Sequence, residues 1–171
     1  MVAHSISLAP ALRKPTPAAA HPQGFARGTT LRSVFGPRPV ERLMAGDLLL
    51  DAAGQIIELR ALRQVRARPG ELVRLAPSEC LPGLERALIV GAAQQLEMCD
   101  WRTQLLYGQS ALTTAAQLVD GGAVRRLKTP RVLYHLGFDA DSVVLANGLP
   151  ARVSASAQVT QNHRHCVGQV F

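Results

Sequence analysis

Aromatic residues are scarce in this chain. They make up 4% of its 171 residues, although hydrophobic residues of all kinds make up 47%. A folded core must therefore be aliphatic, built from leucine, valine, isoleucine and alanine rather than from rings. The hydrophobic fraction is large enough to close such a core, which excludes a chain that is disordered throughout.

Long apolar runs are also missing. No stretch approaches the roughly 18–20 apolar residues that a membrane-spanning helix needs. The first 23 residues contain no uninterrupted apolar segment, and the charges of Arg13 and Lys14 follow the apolar residues instead of preceding them. No secretory signal is predicted. A cytoplasmic location is the default expectation, and secretion without such a signal stays open.

Cysteine is limited to Cys80, Cys99 and Cys166, and no CxxC pair occurs. This spacing predicts neither a zinc site nor a disulfide framework. The stretch NHRHC brings His163 and His165 next to Cys166 in the sequence, but a fourth ligand is lacking. We interpret it as a solvated terminus, and we predict no metal and no cofactor.

Acidic residues are few. The chain contains 12 acidic and 19 basic residues, 17 of the basic ones being arginine, and its net charge is +7. A charge of this size can attract nucleic acid or other anionic partners. However, the arginines are spread at nearly even intervals and there are few rings on which bases could stack. We therefore do not expect nucleic-acid binding, and a basic surface module for anionic partners is kept as an alternative.

The composition divides the chain into three parts. Residues 1–23 are rich in proline and alanine, and proline fixes φ and removes a backbone donor, so they are predicted to form a flexible segment. Residues 24–153 carry the apolar patterns of a folded domain. Residues 154–171 are small and polar, which predicts a tail.

Short strand patterns dominate the folded part. In residues 54–68 apolar side chains recur at every second position up to Ala61 and then shift to Leu62, which predicts a bulge or bend there. The glycines and prolines of residues 24–46 predict a loop that leads into the first strand. The strand segments are 47–50, 54–68, 71–77, 86–92, 104–114, 129–138 and 141–151.

One helix is predicted, over residues 114–122, with Thr114 as N-cap and glycine at its end. Many short strands with almost no helix are typical of an all-β domain, folded as a compact sandwich or barrel-like body.

Three collinear stretches resemble bacterial Hint domains, the hedgehog/intein autoprocessing fold. The first is GFARGTTLRSVFGPRPVERLMAGDLLL, the second ALIVGAAQQLEMCDWRTQLLYGQSALTTAAQLVDGG, and the third YHLGFDADSVVLANGLPARV. The first stretch fits the family pattern at Phe25, Gly28, Thr29, Gly36, Pro37, Arg38, Pro39, Val40, Glu41, Leu43, Gly46 and Asp47. The resemblance implies a Hint-type fold over about residues 24–153.

The resemblance also implies a chemistry. In the family an N-terminal cysteine thiol attacks the preceding carbonyl, so that an amide becomes a thioester by an N-to-S acyl shift. A histidine in the middle of the domain protonates the leaving amide nitrogen, and a late histidine assists as acid, base or orienting group.

This chain departs from the family at all three positions, which fall on Gly24, Gln94 and Asp141. Glycine has no attacking atom, glutamine does not titrate, and an aspartate is a poor proton donor at neutral pH. Gly91 and Ala92 also replace the serine and proline that precede the middle histidine. The resemblance therefore implies a degenerate Hint domain without self-cleavage, retained to bind an unidentified protein or peptide.

Other residues with reactive or polar side chains lie near these positions in the sequence. Thr29, like the neighbouring Thr30 and Ser33, is a weak candidate nucleophile, and we expect its hydroxyl to bond backbone in a tight turn. His135 is a weak candidate that could line the former site from a strand. Cys99 is expected to fill apolar space, and Trp101 to anchor the core edge. Cleavage before residue 24 by non-standard residues stays an alternative, and the oligomeric state is open.

Overall fold

The computed structural model describes residues 22–98 and 111–156. Within these ranges the chain forms short β-strands, numbered β1–β14, and two turns of 3-10 helix at Val40–Arg42 and Ala115–Leu118. None of the helical segments in these ranges has the length and apolar character needed to cross a bilayer. The all-β prediction is confirmed.

Six of the strands form one antiparallel sheet. They are β1 (Phe25–Ala26), β6 (Ala61–Ala67), β7 (Leu72–Leu75), β8 (Leu88–Gly91), β11 (Val124–Leu127) and β12 (Arg131–Gly137). Their order across the sheet is β11-β7-β8-β1-β12-β6, so the two-residue strand β1 lies in the middle, between β8 and β12.

The other strands form a second antiparallel sheet. They are β2 (Thr30–Ser33), β3 (Gly36–Pro39), β4 (Leu48–Leu50), β5 (Ile56–Glu58), β9 (Gln95–Met98), β10 (Ala111–Thr114), β13 (Ser142–Ala146) and β14 (Leu149–Val153). The order is β10-β9-β14-β13-β2-β4-β5, and β3 pairs with β2.

An aliphatic core joins the two sheets. Phe25 and Val90 from the six-stranded sheet pack in the same cluster as Leu31, Leu49 and Val144 from the eight-stranded sheet. Leucines are the commonest members, as the shortage of rings requires. Burying one such side chain contributes about 1.5–3 kcal/mol to the transfer free energy, so this cluster fixes how the sheets lie around β1.

The predicted helix is shorter than residues 114–122. Thr114 occupies the N-cap position, and its N–H donates to Oε1 of Gln117 at 3.1 Å. The 3-10 helix ends at Leu118 because Val119 already has an extended backbone. The turn at Val40–Arg42 was not predicted, since three residues carry no helical periodicity.

The bulge or bend predicted near Ala61–Leu62 is a change of sheet that lies slightly earlier in the chain. The strand breaks one step earlier, at Leu59–Arg60, where the chain leaves β5 in one sheet and enters β6 in the other. The Leu59 N–H donates to the Asp47 carbonyl, whereas the Arg60 N–H donates to the Gly137 carbonyl. Because Leu59 is fully buried at this corner, its apolar character continued the pattern of a single strand.

The loop predicted for residues 24–46 is also wrong in part, since it contains β1, β2 and β3. Residues 141–151 form a hairpin rather than one strand. Its turn is Asn147–Gly148, with φ of 48° and 91°, the left-handed pair that favours Asn-Gly in two-residue hairpin loops. Strands β9 and β11 were not predicted.

Candidate functional site

Gln94 contacts the backbone at Gly24. The Gly24 N–H donates to Oε1 of Gln94 at 3.0 Å. The Nε2 group of the same side chain donates to the carbonyls of Arg152 at 2.7 Å and Gln95 at 3.1 Å. Two carbonyl acceptors on one side fix which end of the amide is nitrogen. Gln94 is 2% exposed, so its side chain is buried and fully hydrogen-bonded.

The backbone at Gly24 leaves no room for a side chain. Its φ is +117°, a conformation that side chains of L-residues rarely adopt, and a Cβ there would lie 2.7 Å from the Tyr134 carbonyl oxygen. The Gly24 carbonyl accepts from the Gly91 N–H at 3.0 Å. Residue 24 is thus held between β8 and β12 by main-chain groups, and a cysteine could not occupy this backbone without moving a strand.

The two residues before Gly24 lie against β8 at Gly91. A Cβ on Gly91 would overlap the Pro22 carbonyl and would come within 3.1 Å of the Gln23 Cα. The Pro22 carbonyl also accepts from the Ala93 N–H at 3.3 Å. Glycine at position 91, where relatives have serine, therefore allows the chain to pass close to the strand.

Asp141 lies on the surface, in the turn between β12 and β13. Its Oδ2 accepts from Arg152 Nη2 at 2.9 Å and its Oδ1 accepts from the Ala155 N–H at 2.8 Å. The Ala155 hydrogen bond, followed by the Arg152 guanidinium, lowers the pKa of this carboxyl. At neutral pH the group is a carboxylate with partners of its own. Its hydrogen bonds among the described residues go to Arg152 and Ala155 and not to Gly24.

We call the Gln23–Gly24 peptide bond and the groups around it the junction. His135 is the one histidine among the described residues, and its backbone lies close to the junction. It follows Tyr134 in β12, and its backbone nitrogen would be 3.4 Å from a Cβ on Gly24. Its cross-strand partner is Arg63 on β6. Partial burial, followed by the charge of Arg63, lowers the pKa of the ring, so the imidazole is neutral at physiological pH.

Thr29 closes the turn that follows β1. Its Oγ1 donates to the Ala26 carbonyl at 2.7 Å and its N–H donates to the same oxygen at 3.2 Å. Next to it, the Gly28 N–H donates to Oε2 of Glu41 at 2.9 Å, and this bond lowers the pKa of Glu41. The Thr29 side chain is 2% exposed, so its hydroxyl is committed to the backbone.

Several candidate residues lie outside the described part of the chain. They are Cys99, Trp101, His163, His165 and Cys166, together with most of the predicted strand segment 104–114. Cys80 is described, exposed and free. Among residues 22–98 and 111–156 no three histidine, cysteine, aspartate or glutamate side chains converge as metal ligands would.

The structure adds groups to the junction that the sequence did not point to. They are the carbonyls of Tyr134 and Arg152 and the Gly91 N–H, all of them main-chain groups. Main-chain groups leave no signature in side-chain patterns. In the sequence, the close approach of the chain to β8 had one signal, which is glycine at position 91 where the family resemblance implies serine.

A comparison with protein families identifies the family of this chain. The model of the Hint domain matches residues 23–154. The chain therefore belongs to the Hint domain family. A comparison with curated proteins returns no match.

Solved structures show the same fold. The MchDnaB-1 intein superposes with a TM-score of 0.53 at 18% identity, covering 74% of this chain and 98% of that one. A bacterial intein-like domain from Clostridium thermocellum gives 0.52 at 13% identity, with 78% and 99% covered. At these identities the likeness concerns the fold, and function has to be argued from the site.

Proposed function

We propose that this Hint domain holds the peptide bond between Gln23 and Gly24 without cleaving it, and that it serves as a binding module. The observation that carries the proposal is the closed backbone at Gly24. An acyl shift needs a side-chain nucleophile on residue 24 that forms a bond to the residue 23 carbonyl carbon while the carbon–nitrogen bond breaks. Gly24 has no such atom, and the space for one is filled by the Tyr134 carbonyl.

The environment of the amide nitrogen supports the same proposal. A leaving amine must receive a proton, so a catalytic group has to donate toward the nitrogen. Here Oε1 of Gln94 accepts from the Gly24 N–H, which stabilises the intact amide. Both Nε2 hydrogens of Gln94 are already donated to carbonyls, and the lowered pKa of Asp141 leaves that group ionised.

Intact mass tests this proposal. The purified full chain is incubated at neutral pH alone, with a thiol, and with hydroxylamine, which intercepts thioesters and esters. We expect a single species of 18.3 kDa in every case. A fragment that begins at Gly24 would contradict the proposal. Hydroxylamine also attacks Asn-Gly bonds, so a cut at Asn147–Gly148 is recognised by its different mass and counts as a side reaction.

A cleaving Hint domain is the competing function, and His135 is the observation in its favour. A neutral, half-buried imidazole one residue beyond the Tyr134 carbonyl could serve as a base. It would take a proton from a water molecule that attacks the Gln23 carbonyl carbon, and would pass that proton to the Gly24 nitrogen as the peptide bond breaks. If a fragment starting at Gly24 forms, His135→Gln should slow its formation by about 10²-fold or more. Thr29→Val should leave the rate unchanged, since that hydroxyl already bonds the Ala26 carbonyl.

A further inference from the structure

The strands of the six-stranded sheet carry positive charge and no negative charge. None of its strands contains an aspartate or a glutamate. The same strands carry six arginines: Arg63, Arg66, Arg74, Arg125, Arg126 and Arg131. In the eight-stranded sheet, by contrast, arginines are mixed with Glu58 and Glu97. The even spacing of arginine along the sequence therefore does not produce an even surface.

Within the described part of the chain, these arginines form no ion pair with an acidic side chain. The ion pairs of the described residues involve Arg27, Arg38, Arg60 and Arg152, which all lie outside the strands of the six-stranded sheet. Arg74 and Arg125 even face each other directly across β7 and β11, an arrangement of like charges that destabilises a sheet. Within the described residues the sheet therefore carries uncompensated positive charge at both of its edges.

Strand β6 is the part of this sheet best placed to receive a partner. It is seven residues long and ends the sheet, with β12 as its one neighbour among the described residues. Arg63, Gln64, Val65 and Arg66 are all exposed, so both faces of the strand reach solvent. A free edge presents unpaired N–H and C=O groups that an extended peptide can match.

A cleft lies beside this edge. It has a volume of about 290 Å³ and is lined by Arg27, Gln64, Arg131, Val132 and Tyr134. Val132 is 41% exposed and Val65 is 42% exposed. Each face of the sheet near this edge thus carries an arginine and an exposed valine, Arg63 with Val65 on one and Arg66 with Val132 on the other, which suits a partner with both acidic and apolar residues.

A partner protein is the best source of the negative charge. Residues 1–21 and 157–171 contain no aspartate or glutamate, residues 99–110 contain only Asp100, and a second copy of the chain would bring a net charge of +7. Nucleic acid fits less well, because Phe25 is buried and Tyr134 is partly buried in this sheet, so it exposes no open platform for base stacking.

We infer that the outer edge of β6 binds an acidic, extended peptide segment of a partner protein as an added strand. The partner backbone pairs with residues 61–67. On one face of the sheet its side chains meet Arg63 and Val65, and on the other face they meet Arg66 and Val132, so the partner carries carboxylates and apolar side chains on both faces. The inference is independent of whether the Gln23–Gly24 bond is cleaved.

Fluorescence polarisation with the full chain tests this inference. The probe, called the alternating peptide, is a labelled peptide in which pairs of glutamate alternate with pairs of valine, so that both of its faces carry each residue, and it is about eight residues long to match a β-strand. The matched probe keeps the glutamates and has proline in place of valine, which removes backbone donors. We expect the first peptide to bind at about 50 mM salt and the proline peptide to bind at least about fivefold more weakly.

Paired variants locate the surface. Arg63→Gln/Arg66→Gln should weaken binding of the alternating peptide about tenfold, because two charge pairs are lost. Arg125→Gln/Arg126→Gln makes the same change in net charge at the opposite edge and should change affinity less than about threefold. Circular dichroism and thermal unfolding should confirm that both variants are folded.

Three results would overturn the inference. One is no binding of the alternating peptide at about 50 mM salt. Another is an equal loss in both arginine pairs, which would indicate attraction by net charge alone. The third is binding of the proline peptide, or of a single-stranded oligonucleotide of equal charge, as tight as that of the alternating peptide.

Discussion

The junction at Gly24 and the outer edge of β6 differ in how their polar groups are satisfied. At the junction the protein supplies every partner: Gln94 takes the Gly24 N–H and gives both of its own hydrogens to carbonyls. At β6, Arg63 and Arg66 are exposed and make no ion pair within the described residues. A closed hydrogen-bond network stabilises one structure, whereas unpartnered charge is available to a second molecule. In this Hint domain the junction at Gly24 is the closed region and the edge of β6 is the open one.

The largest expected effect comes from adding a side chain at the junction. Gly24→Ala should lower the free energy of unfolding by about 3 kcal/mol or more, because a strained φ is combined with a Cβ overlapping the Tyr134 carbonyl. Urea denaturation measures it. Gly28→Ala is the matched control: its φ is +87° but open space surrounds it, so about 1 kcal/mol is expected.

The clash at Gly24 also affects a variant that carries the cysteine and the two histidines implied by the family resemblance. A Gly24→Cys, Gln94→His, Asp141→His variant should be destabilised like Gly24→Ala and should show no cleavage induced by thiol. Intact mass of the variant, compared with the parent, is the measurement. Thiol-dependent release of residues 1–23 would show that β12 yields to a side chain at position 24.

The next largest effect is at Gln94. Gln94→Leu leaves the buried Gly24 N–H and the Arg152 carbonyl without their partner, which should cost about 2 kcal/mol. Gln94→Glu keeps an acceptor for Gly24, but only its protonated form can donate to the Arg152 carbonyl.

The glutamate variant should therefore have a raised folded-state pKa and should lose stability as pH rises through that pKa. Urea unfolding at about pH 5 and pH 7 measures the difference, which the parent should lack. An equal loss at both pH values would contradict a donating role for Nε2.

A smaller and more local effect is expected at Gly91. Gly91→Ala would overlap the Pro22 carbonyl, and the segment before Gly24 can yield more easily than the strand. Global stability should fall by about 1 kcal/mol, while limited proteolysis before Gly24 becomes faster. Gly122→Ala is the control, since its Cβ would make ordinary contacts at 3.6 Å with Asp120. Unchanged proteolysis in Gly91→Ala would contradict the packing of Pro22 on β8.

The smallest effect concerns Asp141. Its carboxyl accepts from Ala155 and Arg152, and these partners depress its pKa below the ordinary value of 3.8. A depressed pKa contributes stability that is complete above about pH 3.8 and is lost as pH falls through the folded-state value. Asp141→Asn should therefore flatten the acid limb of the stability curve, as measured by thermal unfolding between about pH 2 and pH 5. If the stability of parent and variant falls equally between about pH 5 and pH 2, Asp141 makes no such contribution.

Residue patterns predicted the fold better than the site. The aliphatic core, the short strands and the Hint resemblance all rest on side chains, which is why the all-β fold could be predicted. The resemblance also singled out Gly24 and Gln94, which the structure brings into contact. The closed space at Gly24 depends on the Tyr134 carbonyl, and a backbone atom from a distant strand has no local signal in the sequence.

Two other misses have different physical causes. Leu59 continued an alternating pattern although the chain changes sheets there, because a buried corner and a buried strand both select an apolar residue. The arginine-rich sheet was missed because β6 and its neighbour β12, like β7 and its neighbour β11, are distant in sequence and adjacent only in the fold. The Asn147–Gly148 hairpin was also missed, although Asn-Gly is a recognisable hairpin signal in the sequence.

The state of the Gln23–Gly24 bond can be observed directly. Glutamine is followed by glycine at this one place in the sequence, so carbonyl-13C glutamine combined with 15N glycine labels a single amide in the full chain. A carbonyl-to-amide NMR correlation should show one peak that persists with thiol or hydroxylamine and whose proton exchanges slowly, because Gln94 accepts it. Loss of that peak, with a new amino-terminal glycine, would contradict a junction that holds its peptide bond intact.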